Sequence, residues 1–286
     1  MSKQPQLVTS CRQVQEMILQ LRTTPQRIGL VPTMGALHDG HLSLVSAARD
    51  QCDFVVVTIF VNPAQFGPGE DLEQYPRLLE NDLAQLAALD VDLVFAPSEK
   101  EIYPAGFSTR IEPPAAAQPW EGAHRPHHFS GVVTVVSKLF NIIPADVAFF
   151  GQKDYQQAMV VQQLVSDLNF PIDIEICPIV RNQDGLALSS RNQYLEPNQR
   201  RQATVLSRCL QWAQQRVSEA ERSTQKLKQG IQQQLREAGV EAVDYVAIVD
   251  PATLVEVEHV DEPAMLLLAA HVGNVRLIDN CRLVPG

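Results

Sequence analysis

Short β-branched apolar runs alternate with amphipathic stretches through the first two thirds of the chain. The runs at residues 28–31, 54–60, 93–96, 147–150 and 172–179 read as buried strands. Between them, residues 42–49, 78–89, 132–143 and 155–168 carry apolar positions at helical spacing, as the crossovers of a parallel sheet require. This pattern predicts an α/β fold, a Rossmann-like doubly wound parallel sheet whose ligands bind beyond the carboxyl ends of the strands.

The pattern changes near Val180. Gln-rich helices are predicted at 199–220 and 224–238, followed by strand-like runs at 242–249, 264–270 and 274–279, with a hairpin turn at 271–274. The expected organisation is therefore a domain over 1–179 and a smaller C-terminal α+β domain over 180–286, suited to act as a lid. Residues 112–130 contain Pro113, Pro114, Pro119 and Pro126, which excludes a regular helix or central strand and marks a long loop of the kind that usually carries function.

Composition narrows the class. The 286 residues carry a net charge of −10, with no large basic field, which argues against broad binding of nucleic acid or anionic membranes. The first six residues lack an apolar signal core and the apolar runs are too short to span a bilayer, so a cytoplasmic protein is expected. Five scattered cysteines, never in C-x-x-C spacing, imply reduced and mostly buried thiols.

Candidate chemistry gathers where predicted strands give way to helices. His38 and His41 lie three apart at the start of a helix-like pattern, where first-turn N–H groups favour an anionic phosphate. Taken singly, each histidine also suits an ordinary surface or core position, and His-x-x-His admits a metal pair, although nothing nearby completes a shell. The G-x-G-x-x-G and P-loop patterns are absent, so a nucleotide here must be held by another device.

Three further segments accompany this one. Asn62 and Gln65 offer amides that suit a ligand bearing hydroxyl and carboxylate groups, or simply end a strand in a loop. Gly151, Lys153 and Asp154 suit close backbone approach, phosphate charge and a ribose hydroxyl, or a solvated first turn, with Gln157 one turn further on. Arg191 beside Ser189 and Ser190 is a candidate triphosphate clamp, or the serines cap a helix. In the proline-rich segment, His124, His127 and His128 invite a metal reading that the adjacent Arg125 opposes; Arg125 or His128 meeting an anion, or a subunit interface, fits better.

Taken together, Pro32–His41 (P-T-M-G-A-L-H-D-G-H), residues 60–69 (F-V-N-P-A-Q-F-G-P-G), 149–157 (F-F-G-Q-K-D-Y-Q-Q) and 185–192 (G-L-A-L-S-S-R-N) resemble the pantoate-beta-alanine ligase family, also called pantothenate synthetases, over essentially the whole chain. The resemblance implies ATP-dependent joining of pantoate to beta-alanine through a pantoyl adenylate. It implies that Met34, Gly35, Ala36, Leu37, His38, Asp39, Gly40 and His41 line the ATP site, with Gly151, Gln152, Lys153, Asp154, Val180, Leu188, Ser189, Ser190 and Arg191. His38, His41, Lys153 and Arg191 would be catalytic, Gln65 and Gln157 would hold pantoate with Asn62 and Arg125 as further substrate contacts, and Asp82 would be a magnesium ligand. A homodimer is implied. This chain departs from the family pattern at Leu188, often methionine, and at Gln152, often glutamate. The remaining alternatives are a nucleotidyltransferase of the same superfamily acting on a phosphorylated metabolite, and a non-catalytic ATP-binding protein.

Overall fold

Strands apolar on both faces need cover on both faces, and the first part of the chain supplies it with helical crossovers. In the computed structural model, which describes residues 4–286, the elements run β1 (Gln6–Val8), α1 (Cys11–Leu21), β2 (Ile28–Thr33), α2 (Asp39–Gln51), β3 (Phe54–Ile59), α3 (Leu79–Ala88), β4 (Leu93–Phe95), α4 (Glu99–Ile102), α5 (Glu121–His124), α6 (His128–Ile142), β5 (Val147–Gly151), α7 (Tyr155–Asp167) and β6 (Asp173–Cys177). Residues 1–3, part of the stretch read as lacking a signal core, lie outside the described residues.

The six strands form one sheet in the order β1-β4-β3-β2-β5-β6, every pairing parallel. Alternation along the strands divides their side chains between two cores. Leu30, Val56 and Phe95 face one with Ile18 and Phe129, while Val31, Val57 and Val94 face the other with Leu44 and Leu86. The chain runs from β2 to β3 on one side and from β5 to β6 on the other, so the order reverses between adjacent β2 and β5, where open α/β sheets bind ligands.

The chain divides into two compact units. One runs to Gly151 and resumes over Gln157–Pro178; the other holds Gln152–Gln156 and Ile179–Gly286. Within the second are α8 (Pro197–Ala203), α9 (Val205–Ser218) and α10 (Thr224–Glu237), then β7 (Val243–Val249), β8 (Ala264–Val272) and β9 (Val275–Leu283) as an antiparallel sheet in that order. The division differs from a single cut at 179/180 because Asn280 on β9 donates to the carbonyls of Gln152 at 2.9 Å and Lys153 at 3.0 Å.

Three local expectations change. The helix expected over 199–220 is two helices meeting at Thr204, the first opened by Pro197 and a reciprocal Glu196/Gln199 capping box. The hairpin turn narrows to Gly273-Asn274, since Val272 pairs with Val275, and the last strand runs on to Leu283. The proline-rich stretch ends sooner than its composition indicates, because α6 begins at His128. All five cysteines are free; burial pushes the thiols of Cys177 and Cys209 up to about 11. Among the described residues no helix is long and apolar enough to cross a membrane.

Candidate functional site

The turn leaving β2 is built to hold a fixed shape. Thr33 donates its hydroxyl to the Thr58 carbonyl at 2.7 Å and accepts from the Gly35 amide at 3.1 Å. Gly35 and Ala36 then take φ of 80° and 50°, a region glycine enters freely and alanine only at a cost. Fully buried Asp82 on α3 holds the turn, its carboxylate accepting from the Ala36 amide at 3.0 Å and the Leu37 amide at 2.9 Å. A Cβ on Gly35 would stand 3.0 Å from both Asp82 Oδ2 and Ile59 Cγ2, so close packing and backbone sign demand the same residue.

This geometry gives Asp82 a task other than the expected one. Fully buried, with each oxygen accepting from a backbone amide, it anchors the loop. Burial pushes its carboxyl above the usual carboxylate range, opposed by the two amides. Among the described residues no group of three or more His, Cys, Asp or Glu side chains is placed to hold a metal ion.

The anchored turn delivers His38 to the N-cap of α2, where its Nδ1 accepts from the Gly40 amide at 3.1 Å. In the neutral ring the proton therefore sits on Nε2, leaving a donor at the far edge. The His41 ring stands 4.1 Å from that of His38, centroid to centroid, with 35° between planes. First-turn amides, the positive end of the helix dipole and two imidazoles thus share one end of α2, which leads from the central strand β2.

Gln65 lies beside this turn, its Nε2 donating to Met34 Sδ at 3.0 Å. Its backbone is fixed by the start of α6 and the residues before it: the Gln65 carbonyl accepts from His128 Nδ1 at 3.0 Å and from Arg125 at 3.3 Å. A Cβ on Gly131 would fall 2.2 Å from the Ala64 carbonyl oxygen, so glycine alone lets the helix come this close. Arg125, expected as a substrate contact, is instead clasped by Glu70, with Nε–Oε1 at 3.0 Å and Nη2–Oε2 at 2.5 Å. Its charge is matched from within, which makes it a support for Gln65.

Arg125 also donates to His128 Nε2 at 3.3 Å, which requires a neutral His128 ring. Burial, then the Arg125 charge, push its pKa down to about 4. A base with a depressed pKa contributes stability that is present above its unfolded value of about 6.5 and lost as pH falls toward about 4, roughly 3 kcal/mol in all. Urea denaturation at pH 7 and pH 4.5 should show this loss, and His128→Gln, which keeps a donor but does not titrate, should blunt it. Equal losses in both proteins would place the effect elsewhere.

Of the other predicted residues, all but Gly151 and Gln157 lie in the second unit. Asn280, 2% exposed, donates to the Gln152 and Lys153 carbonyls and accepts from Gln152 Nε2 at 3.2 Å, so the segment carrying Lys153 and Asp154 is braced by β9. A glutamate at 152 would face the Asn280 oxygen with another acceptor; Gln152 therefore matches its own partner. Lys153 Nζ stands 3.8 Å from Asp154 Oδ1, a loose pair. Val180 accepts from the Leu188 amide at 3.0 Å across a hairpin turned by Gly185 at φ 86°. Arg181 binds Asp279 through both nitrogens, at 2.6 and 2.8 Å, and tethers that hairpin to β9. Ser189 caps the 3-10 turn carrying Ser190 and Arg191, accepting from the Arg191 amide at 3.3 Å. Gly151 ends β5 in the first unit, and Gln157 is half-buried in the first turn of α7.

Sequence reading missed Asn280, Asp279 and Arg181. The available signal was two adjacent polar residues, Asp279-Asn280, the first standing where the alternation of Val275, Leu277, Cys281 and Leu283 calls for an apolar side chain; both are buried and bonded.

Comparison with known proteins agrees with this geometry. Residues 6–282 match the family model described as Pantoate-beta-alanine ligase. A pantothenate synthetase of Roseiflexus castenholzii is 53% identical, across 90% of this chain and 92% of the relative. The crystal structure of a pantothenate synthetase from Thermus thermophilus is similar with a TM-score of 0.93 at 43% identity, covering 98% of this chain and 100% of that one. A pantoate-beta-alanine ligase from Francisella tularensis, solved in complex with beta-gamma ATP and beta-alanine, is similar with a TM-score of 0.82 at 38% identity, covering 97% of each chain. A match of this extent makes the chain a member of the pantoate-beta-alanine ligase family.

Proposed function

We propose that the protein joins pantoate to beta-alanine in two steps on ATP, with the residue roles set out below. The carrying observation is the anchored turn at the head of α2, which sets His38, His41 and helix amides at the carboxyl end of β2 with the Gln65 amide beside it. In the first step a pantoate carboxylate oxygen attacks the ATP α-phosphorus and the bond to the β,γ-phosphates breaks, releasing pyrophosphate. Pantoate is already ionised, so no base is needed to make the nucleophile; positioning and charge stabilisation dominate.

Gln65 and Gln157 hold the acid. Met34, Gly35, Ala36, Leu37, Asp39 and Gly40 shape the ATP site, with Gly151, Gln152, Asp154, Val180, Leu188, Ser189 and Ser190. His38, His41, Lys153 and Arg191 offset negative charge building on the phosphates. Magnesium bound to ATP would supply further neutralisation of the triphosphate charge beside Lys153 and Arg191. Asn62 and Arg125 act by supporting Gln65.

In the second step the neutral amine of beta-alanine attacks the acyl carbon. The carbon–oxygen bond to the adenylate breaks, AMP leaves and the nitrogen gives up a proton. We further assign the protein to the cytoplasm as a homodimer.

The test is to mix enzyme with ATP and pantoate alone, then add beta-alanine. About one equivalent of pyrophosphate per site should appear at once, with AMP accumulating only after the amine is added. Pyrophosphate release that ignores pantoate would instead favour a nucleotidyltransferase acting on another metabolite, and ATP binding without turnover a non-catalytic protein.

A further inference from the structure

Asn62, 1% exposed, makes four hydrogen bonds, and their chemistry leaves it one orientation. The Ala64 amide can only donate and stands 3.3 Å from one end; the Gly131 carbonyl can only accept and stands 3.1 Å from the other. The first end is therefore the oxygen and the second the nitrogen. The second hydrogen on that nitrogen points at the Gln65 amide at 3.1 Å, so the atom it meets is Oε1. Gln65 must then turn its NH2 away from Asn62. Met34 Sδ, which also only accepts, stands 3.0 Å from that nitrogen and agrees with the assignment. One N–H of Gln65 remains to meet a ligand, and it can meet only an acceptor.

The Tyr103 hydroxyl reaches the same Asn62 oxygen at 2.8 Å, the shortest of the four bonds. Since that oxygen cannot donate, Tyr103 does. Burial keeps the hydroxyl protonated by pushing its pKa up to about 12. Without this donor the Asn62 oxygen would keep only the long bond to Ala64. The hydrogens that Asn62 gives to Gly131 and Gln65 would then be held less firmly, and with them the direction of the Gln65 amide.

We propose that Tyr103 is a positioning residue for the acid substrate: through Asn62 it fixes the Gln65 amide with its donor edge toward the pantoate carboxylate or hydroxyls. The proposal rests on the reading that Gln65 holds pantoate. Tyr103→Phe keeps the ring and removes only the hydroxyl. It should raise the KM for pantoate about 3- to 10-fold, the worth of one hydrogen bond, while the KM for ATP and the thermal midpoint stay near wild type.

Steady-state kinetics on Y103F, Gln65→Ala and the double variant decide it. Support requires that Q65A raise the pantoate KM at least as much as Y103F, and that adding Y103F to Q65A change it no further. If Q65A raises the KM and Y103F does not, the relay is overturned while the Gln65 reading stands. If Y103F acts equally with and without Gln65, its effect does not pass through the amide and the proposal falls. An unchanged pantoate KM in Q65A overturns the Gln65 reading and the relay together.

Discussion

Alanine at His41 or at Lys153 is expected to slow adenylate formation about 10²- to 10³-fold each, the usual loss when one fixed charge or donor is taken from a developing anion. His41 lies in the first turn of α2 with its ring 4.1 Å from that of the capping His38, so the pair adds to the positive end of the helix. Lys153 sits on a backbone segment that Asn280 holds by two carbonyls, and its ion pair with Asp154 is 3.8 Å long. A pair this loose leaves the ammonium charge available to phosphate. Rapid-quench measurement of pyrophosphate release with ATP and pantoate separates this step from attack by the amine. Neither change removes an apolar core contact, so urea midpoints should stay close to wild type. Pyrophosphate release at near-normal rates in both variants would sink these roles.

Asp82→Ala should act on the fold and on the nucleotide at once. Removing the carboxylate takes its hydrogen bonds from the buried amides of Ala36 and Leu37, at about 1–3 kcal/mol apiece, and loosens a turn in which Ala36 sits at φ 50°. A total loss of roughly 2–6 kcal/mol is expected, with ATP affinity falling as the head of α2 loosens. The pH dependence has a definite sign. Because the folded carboxyl titrates above its unfolded value, the contribution of Asp82 is fully present below that unfolded value and declines as pH rises through the folded one. The stability gap between wild type and D82A should therefore widen, not shrink, on going from pH 7 to pH 4. Urea denaturation at both pH values and ATP titration at pH 7 check the three statements; a gap below about 1 kcal/mol would show that the turn stands without its anchor.

Much of the parallel sheet was legible because its strands are buried on both sides and read as unbroken apolar runs. β1 was not, since three residues, of which only Val8 is buried, carry no period. α1 was also passed over, although Ser10 caps it by accepting from the Gln13 amide and Val14 and Ile18 are its buried positions at helical spacing. The motif residues were legible as chemistry, but not their partners. Asp82 read as a metal ligand and Arg125 as an anion contact because a charged residue near a motif looks available until its neighbours are known. The neighbours are Ala36 and Leu37 in one case and Glu70 in the other, dozens of residues away along the chain.

The amino-acid sequence alone determined the strand and helix alternation, the change of architecture near residue 180, and the turn and histidines that mark the family, since periodicity and local backbone preference depend on near neighbours. Only the tertiary structure decided which polar groups are engaged with one another: the direction of the Gln65 amide, the neutrality of His128, and the anchoring of Asp82 and Asn280. Hydrogen-bond polarity and desolvation depend on atoms brought within about 3 Å by folding, and no spacing along the chain encodes them.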